Sequence, residues 1–191
     1  MNDLAAIPTP PAYDRILARS KALDFTMNSD VLTGALLRTL AASKPASALL
    51  ELGTGCGLGT SWLLDGMDAS SSLVSVDTDA RTQEIAGSEL AGDPRLTLVL
   101  GDGGAFLQAC DRRFDLIYAD AWPGKYTHLD DALCLLKRGG VFVVDDMLPQ
   151  ANWPDGHGEK AAALIATLER LPQFAVTKLS WSTGLILAVR R

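Results

Sequence analysis

The 191-residue sequence predicts an α/β fold: a doubly wound, mostly parallel seven-stranded sheet with helices on both faces and an antiparallel C-terminal hairpin. Three observations carry this prediction. From residue 45 onward, short apolar runs alternate with segments of helical spacing, the pattern of successive β-α-β units. The first run breaks into a glycine-rich loop, Gly53-Thr54-Gly55-Cys56-Gly57-Leu58-Gly59, which exposes main-chain N–H groups at a strand end. The last two runs lie too close together for a crossover helix, which makes them antiparallel partners at the sheet edge.

In order along the chain, residues 1–11 are punctuated by proline and read as a loose arm. Tyr13 to Leu23 and Val31 to Ala42 place apolar residues at helical spacing; Asn28 or Ser29 is a candidate cap for the second, and Lys44-Pro45 ends it. Strands are expected at Ala48–Leu52, Leu73–Val76, Leu96–Leu100, Leu116–Ala119 and Val141–Val144, with helices near 58–66, 79–91, 103–110 and 127–137 between them. A polar loop after Pro149 leads to a helix from Glu159 to Leu171 and to strands at Phe174–Leu179 and Gly184–Val189. Residues 1–44 form an N-terminal arm with helices and 45–191 the core of one expected domain.

Composition narrows the function classes. With 17 basic against 23 acidic residues the net charge is −6, which argues against nucleic acid or an anionic membrane as the main partner. Cys56, Cys110 and Cys134 lie far apart and form no C-x-x-C pair, so neither a disulfide scaffold nor a structural zinc site is expected. The N-terminus lacks a basic-then-apolar leader and no apolar stretch is long enough to span a bilayer. The expectation is a cytoplasmic protein acting on a small molecule.

Ligands of such a sheet bind outside the carboxyl ends of the strands. The glycine spacing there excludes the dinucleotide fingerprint G-x-G-x-x-G. The pattern starting at Glu51, E-x-G-x-G-x-G, instead resembles the first motif of class I S-adenosylmethionine-dependent methyltransferases. After the second strand, Asp77 is placed to accept from both hydroxyls of a ribose; after the third, Asp102 can accept from an adenine amino group or cap the next helix. The resemblance implies S-adenosylmethionine as cofactor, held by Glu51, Gly53, Thr54, Gly55, Gly57, Asp77, Thr78, Asp102 and Gly103.

The fourth strand ends in Phe114-Asp115-Leu116-Ile117-Tyr118-Ala119-Asp120-Ala121, and the fifth follows Gly139-Gly140 to end in Asp145-Asp146. Both passages resemble the catechol and caffeoyl-CoA type of O-methyltransferase, which reads F-D-x-x-F-x-D-A and then L-x-x-G-G-x-x-x-x-D-N. Met27 matches a methionine before the second helix of that family, which the resemblance places among the residues that hold the cofactor. The resemblance implies methyl transfer to a hydroxyl of a small, catechol-like acceptor. It also implies that Asp120 borders the cofactor, that Asp120, Asp145 and Asp146 hold Mg²⁺, and that the chain forms a homodimer through its N-terminal segment. Three hard oxygen ligands with open positions suit Mg²⁺ on chemical grounds as well. Such an ion would favour the ionised form of a bound hydroxyl.

Two positions depart from the family. Asp146 stands where the family has asparagine, and Pro123 where it has a lysine base; proline takes no proton. Lys125 lies two residues on and the Trp122–Tyr126 loop could bring it back, although a solvated loop lysine is its plainer reading. Tyr126, His128 and His157 are the other candidate bases, His128 read on a polar helix face and His157 in a surface loop. Trp122 and Trp153 flank the expected acceptor mouth, and Cys56 reads as a small packing residue. Two other readings stand beside the metal-assisted one: metal-independent transfer to nitrogen or oxygen, and a catalytically silent cofactor-binding module.

Overall fold

The computed structural model describes residues 7–151 and 153–191; most of the expected N-terminal arm, residues 1–6, lies outside them. Strands β1 (Ala48–Leu52), β2 (Ser72–Asp77), β3 (Leu96–Leu100), β4 (Phe114–Ala119), β5 (Leu136–Val144), β6 (Phe174–Leu179) and β7 (Leu185–Arg190) form one sheet. Its order is β3-β2-β1-β4-β5-β7-β6. The first five are mutually parallel, and β7 runs antiparallel to both β5 and β6. From β1 the chain winds outward to β3, then crosses back to β4 on the other side of β1. The loops after β1 and β4 therefore part, opening a crevice at their carboxyl ends.

Successive strand residues face opposite sides, and the core divides accordingly. Leu49, Leu116, Val141 and Val143 pack under α1 (Tyr13–Ala22), α2 (Val31–Ala42), α3 (Leu58–Gly66) and α4 (Ala80–Leu90), through Ile16, Leu37, Leu63 and Ile85. Leu50, Ile117, Phe142 and Val144 pack under α5 (Gly103–Ala109), α6 (Leu129–Cys134) and α7 (His157–Glu169), through Leu107, Leu133, Leu164 and Leu168. All five residues of β1 are buried. A strand covered on both faces needs this unbroken apolar run, interrupted here only by Glu51.

Local differences from the expected elements have physical reasons. The N-cap of α2 is Asp30, whose carboxylate accepts from Leu32 and Thr33 N–H. Asn28 instead donates to Ser20 Oγ and the Phe25 carbonyl, and Ser29 meets the Tyr118 hydroxyl at 3.1 Å. The sixth helix is shorter than its apolar spacing suggests, because Leu136 already pairs with Phe114 as the start of β5. The seventh begins two residues early, at His157. Among the described residues no helix is long and apolar enough to cross a membrane.

Candidate active site

The loop between β1 and α3 is shaped by two glycines. Gly53 has φ +102°, and a Cβ there would lie 2.8 Å from the Asp120 carbonyl oxygen, so the loop after β1 passes directly against the loop after β4. Gly57 has φ +96° as N-cap of α3, where a Cβ would meet Ala86 at 2.8 Å. The Asp77 carboxylate accepts from Gly55 N–H at 2.7 Å and Asp79 N–H at 2.9 Å, tying the loop to the end of β2. The resulting crevice, about 270 Å³, is lined by Gly53, Thr54, Gly55, Asp77 and Thr78, with Met27 and Asp120 across from them.

Glu51 lies beneath this crevice and is wholly buried. Its Oε2 accepts from the Thr60 and Ser75 hydroxyls, each at 2.5 Å, while Oε1 has no partner. Burial pushes its carboxyl up to about 7; the Ser75 and Thr60 hydrogen bonds pull against that rise and the charge of Asp77 adds to it. Asp102 caps α5 by accepting from Ala105 N–H at 2.8 Å, and Gly103 packs against Pro123. Neither these two nor Glu51 nor Gly57 lines the crevice, so the glycine loop and the end of β2 carry much of its wall.

The ends of β4 and β5 build a second, adjoining cavity of about 280 Å³. Met27, Asn28, Ser29, Asp120 and Ala121 line both cavities, so the two meet beside Asp120. Asp145 is buried and both its carboxylate oxygens are hydrogen-bonded: Oδ2 accepts from Tyr118 OH at 2.6 Å, and Oδ1 from Asp146 N–H at 2.7 Å and from the Thr183 hydroxyl. Asp146 turns the chain with φ +58°, a left-handed conformation that asparagine and aspartate tolerate better than most residues.

Lys125 is not the solvated loop lysine its position suggests. The N–H groups of Lys125, Tyr126 and Thr127 all donate to the Trp122 carbonyl, and Gly124 N–H donates to Thr127 C=O at 2.7 Å. This tight turn folds the side chain inward, leaving it 6% exposed. Its Nζ donates to the Asp145 carbonyl at 3.0 Å and stands 3.9 Å from Asp120 Oδ1. Burial, then repulsion from Asp145, holds the Asp120 carboxyl well above the usual carboxylate range; Lys125 opposes the rise, and Asp146 and Glu51 add to it. Asp146 is raised by burial and by Asp145, again against Lys125.

His157 also departs from its expected place. As the first residue of α7 it is buried, with Nε2 3.0 Å from Tyr126 OH and its ring centroid 4.5 Å from that of Trp153 and 6.0 Å from Trp122. Burial, with the charges of Lys125 and Lys160, holds the imidazole below the ordinary histidine range, and Nδ1 has no partner. Trp122, Tyr126, Trp153 and His157 thus form an aromatic wall of the second cavity. His128 does not join them: it caps α6 in a left-handed conformation and meets Asp131 at 2.9 Å. Sequence reasoning missed Tyr118, Thr183 and Asp30; for Asp30 the signal was available, an aspartate directly before an apolar helical run.

The comparisons with known proteins agree with this geometry. A family model described as a methyltransferase domain matches residues 50–147, just over half of the chain. The chain belongs to this family. A protein of Mycobacterium sp. (strain JLS), described as a "Putative O-methyltransferase", is 30% identical over 188 residues, covering 91% of this chain and 84% of that protein. A relative of the same description from Mycolicibacterium vanbaalenii is 34% identical over 134 residues, 66% of this chain; the match spans 59% of that protein's length. Among solved structures, the O-methyltransferase of Bacillus cereus in complex with SAH superposes with a TM-score of 0.85 at 21% identity, covering 98% of this chain and 94% of that one. The fold of this methyltransferase domain is the fold of that enzyme.

The acidic cluster of this methyltransferase domain does not fit the divalent metal that the family resemblance implies. Among the described residues no three histidine, cysteine, aspartate or glutamate side chains converge as metal ligands. The Lys125 ammonium, hydrogen-bonded to the Asp145 carbonyl and 3.9 Å from Asp120 Oδ1, takes up the space between Asp120 and the end of β5. No metal-assisted step follows from this arrangement. The glycine-loop crevice, in contrast, offers groups that suit an adenosyl ligand: glycine backbone and an acid at the end of β2.

Proposed function

We propose that this protein transfers the methyl group of S-adenosylmethionine to a hydroxyl of a small aromatic acceptor. One observation carries the reading: the glycine-loop crevice and the aromatic-walled cavity meet at a single partly buried carboxyl group, Asp120. When bound, the cofactor supplies an electrophilic methyl group on a sulfonium. Gly53, Thr54 and Gly55 present backbone to it, Asp77 accepts from its ribose hydroxyls, and Met27 closes the far side. The O-methyltransferase relatives support oxygen as the acceptor atom.

The chain's residues divide the remaining work by position. Trp122, Tyr126 and Trp153 offer flat apolar faces on which an aromatic ring can stack. Asp120 stands where the two ligands would meet, and its raised carboxyl is suited to take the acceptor's proton closer to neutral pH. Lys125 serves as a fixed positive charge beside it, stabilising the oxygen as it ionises. Excluding water from the shared boundary strengthens each of these interactions.

Calorimetry with S-adenosylhomocysteine, followed by transfer of a labelled methyl group to a panel of simple phenols, tests this function. One equivalent of bound cofactor product and label on phenol oxygen are the expected results. A folded protein that binds neither S-adenosylmethionine nor its demethylated product sinks the reading.

A further inference from the structure

The turn after β4 carries a cation into the space between the ends of β4 and β5. Lys125 Nζ is the donor to the Asp145 carbonyl and the nearest positive charge to Asp120. The Asp145 carboxylate looks into three donors of its own, from Tyr118, Thr183 and the Asp146 backbone. A magnesium ion coordinates oxygen at about 2.0–2.1 Å in near-octahedral geometry. To reach Asp120 and Asp145 together, it would have to displace the ammonium. A second cation beside an undisplaced ammonium would be repelled across a few ångströms of low-dielectric interior.

We propose that the Lys125 ammonium is itself the cation of this site and excludes a divalent metal from it. The inference takes from the methyl-transfer reading only the location of the acceptor. An ammonium has three donors, and one is given to the Asp145 carbonyl, which leaves the others for Asp120 and an acceptor oxygen. Half the charge that a divalent metal would supply then arrives on a side chain, fixed by the Trp122–Thr127 turn, and no ion has to be captured or dehydrated.

Metal uptake tests this directly, with Mn²⁺ titrated into the full chain and the free ion followed by electron paramagnetic resonance, with and without S-adenosylhomocysteine. The unaltered protein should leave Mn²⁺ free up to about 1 mM. Lys125→Met should take up one equivalent, displaceable by Mg²⁺, because Asp120 loses its counter-ion. Lys125→Arg keeps the charge and should stay indifferent. The proposal is overturned if the unaltered protein binds Mn²⁺ more tightly than about 1 mM and Asp120→Asn abolishes that binding. A folded Lys125→Met that remains indifferent also overturns it; should that variant fail to fold, Lys125→Gln supplies the same comparison. Because the readout is ion uptake, failure here is distinct from failure of the methyl-transfer reading, which cofactor calorimetry reports separately.

Discussion

The loops after β1 and β4 lie against each other at Gly53 and Asp120, yet they are built in different ways. The β1 loop works largely through its backbone: glycines clear the space, Asp77 from the adjacent strand accepts from Gly55 N–H, and Ser75 and Gln83 meet the Thr54 hydroxyl. The β4 loop works through side chains that meet partners from far along the chain. Lys125 reaches β5, Tyr126 reaches α7, and the Asp145 they neighbour is held by Thr183 near the final hairpin. A backbone cradle depends first on the conformation of its glycines, with Asp77 and the Asp120 backbone fixing it from neighbouring strands. A side-chain site depends on how remote segments pack.

If that division is right, substitutions in the two loops should separate binding from turnover. The largest effect is expected from Asp120→Asn, which should lower kcat by about 10²-fold or more while leaving S-adenosylhomocysteine affinity within a few fold. Turnover that survives in steady-state kinetics would remove Asp120 from the reaction. Asp77→Ala should do the reverse, weakening cofactor binding by about 10- to 100-fold through loss of a charged acceptor, with acceptor KM little changed. An unchanged calorimetric Kd would place the ribose elsewhere.

His157→Phe keeps an aromatic ring against Trp153 but removes the partner of Tyr126. Acceptor KM should rise by about three- to tenfold, roughly the worth of one hydrogen bond, without change in cofactor affinity. A shift in cofactor Kd instead would show that the aromatic wall and the cradle are not separable.

The smallest effect concerns stability. Glu51 has its carboxyl raised from 4.5 to about 7. Between those values the folded state keeps a proton that the unfolded state has lost, so stability falls as pH rises through the window. Glu51→Gln lacks this proton, so its Tm relative to the parent should climb between about pH 5 and about pH 8. A constant difference in thermal melts would mean that Glu51 titrates alike in both states.

Much of the cradle was legible in the sequence because its signals are local. The glycine spacing after Glu51, the acid ending β2 and the strand–helix alternation sit within a few residues of the structure they produce. Asp102 shows the limit: its position after β3 fits either an adenine acceptor or a cap, and the hydrogen bond from Ala105 N–H shows the cap in place. On the acceptor side, the sequence pointed to Asp120, Asp145 and Asp146 at neighbouring strand ends, but not to their state. Asp145 is consumed by Tyr118, Thr183 and its own turn, and those bonds join residues up to 38 positions apart.

Lys125 and His157 mark the same boundary. Each looks like an exposed loop residue in one dimension, since proline, glycine and polar neighbours surround them. Both are buried because the Trp122–Thr127 turn folds back on the Trp122 carbonyl and α7 packs its first turn against that turn. The sequence by itself determined the sheet, its switch point and the backbone cradle, since periodicity and glycine conformation act over short separations. Only the tertiary structure decided which charge lies beside Asp120, because burial of an ammonium between two strand ends is a property of packing.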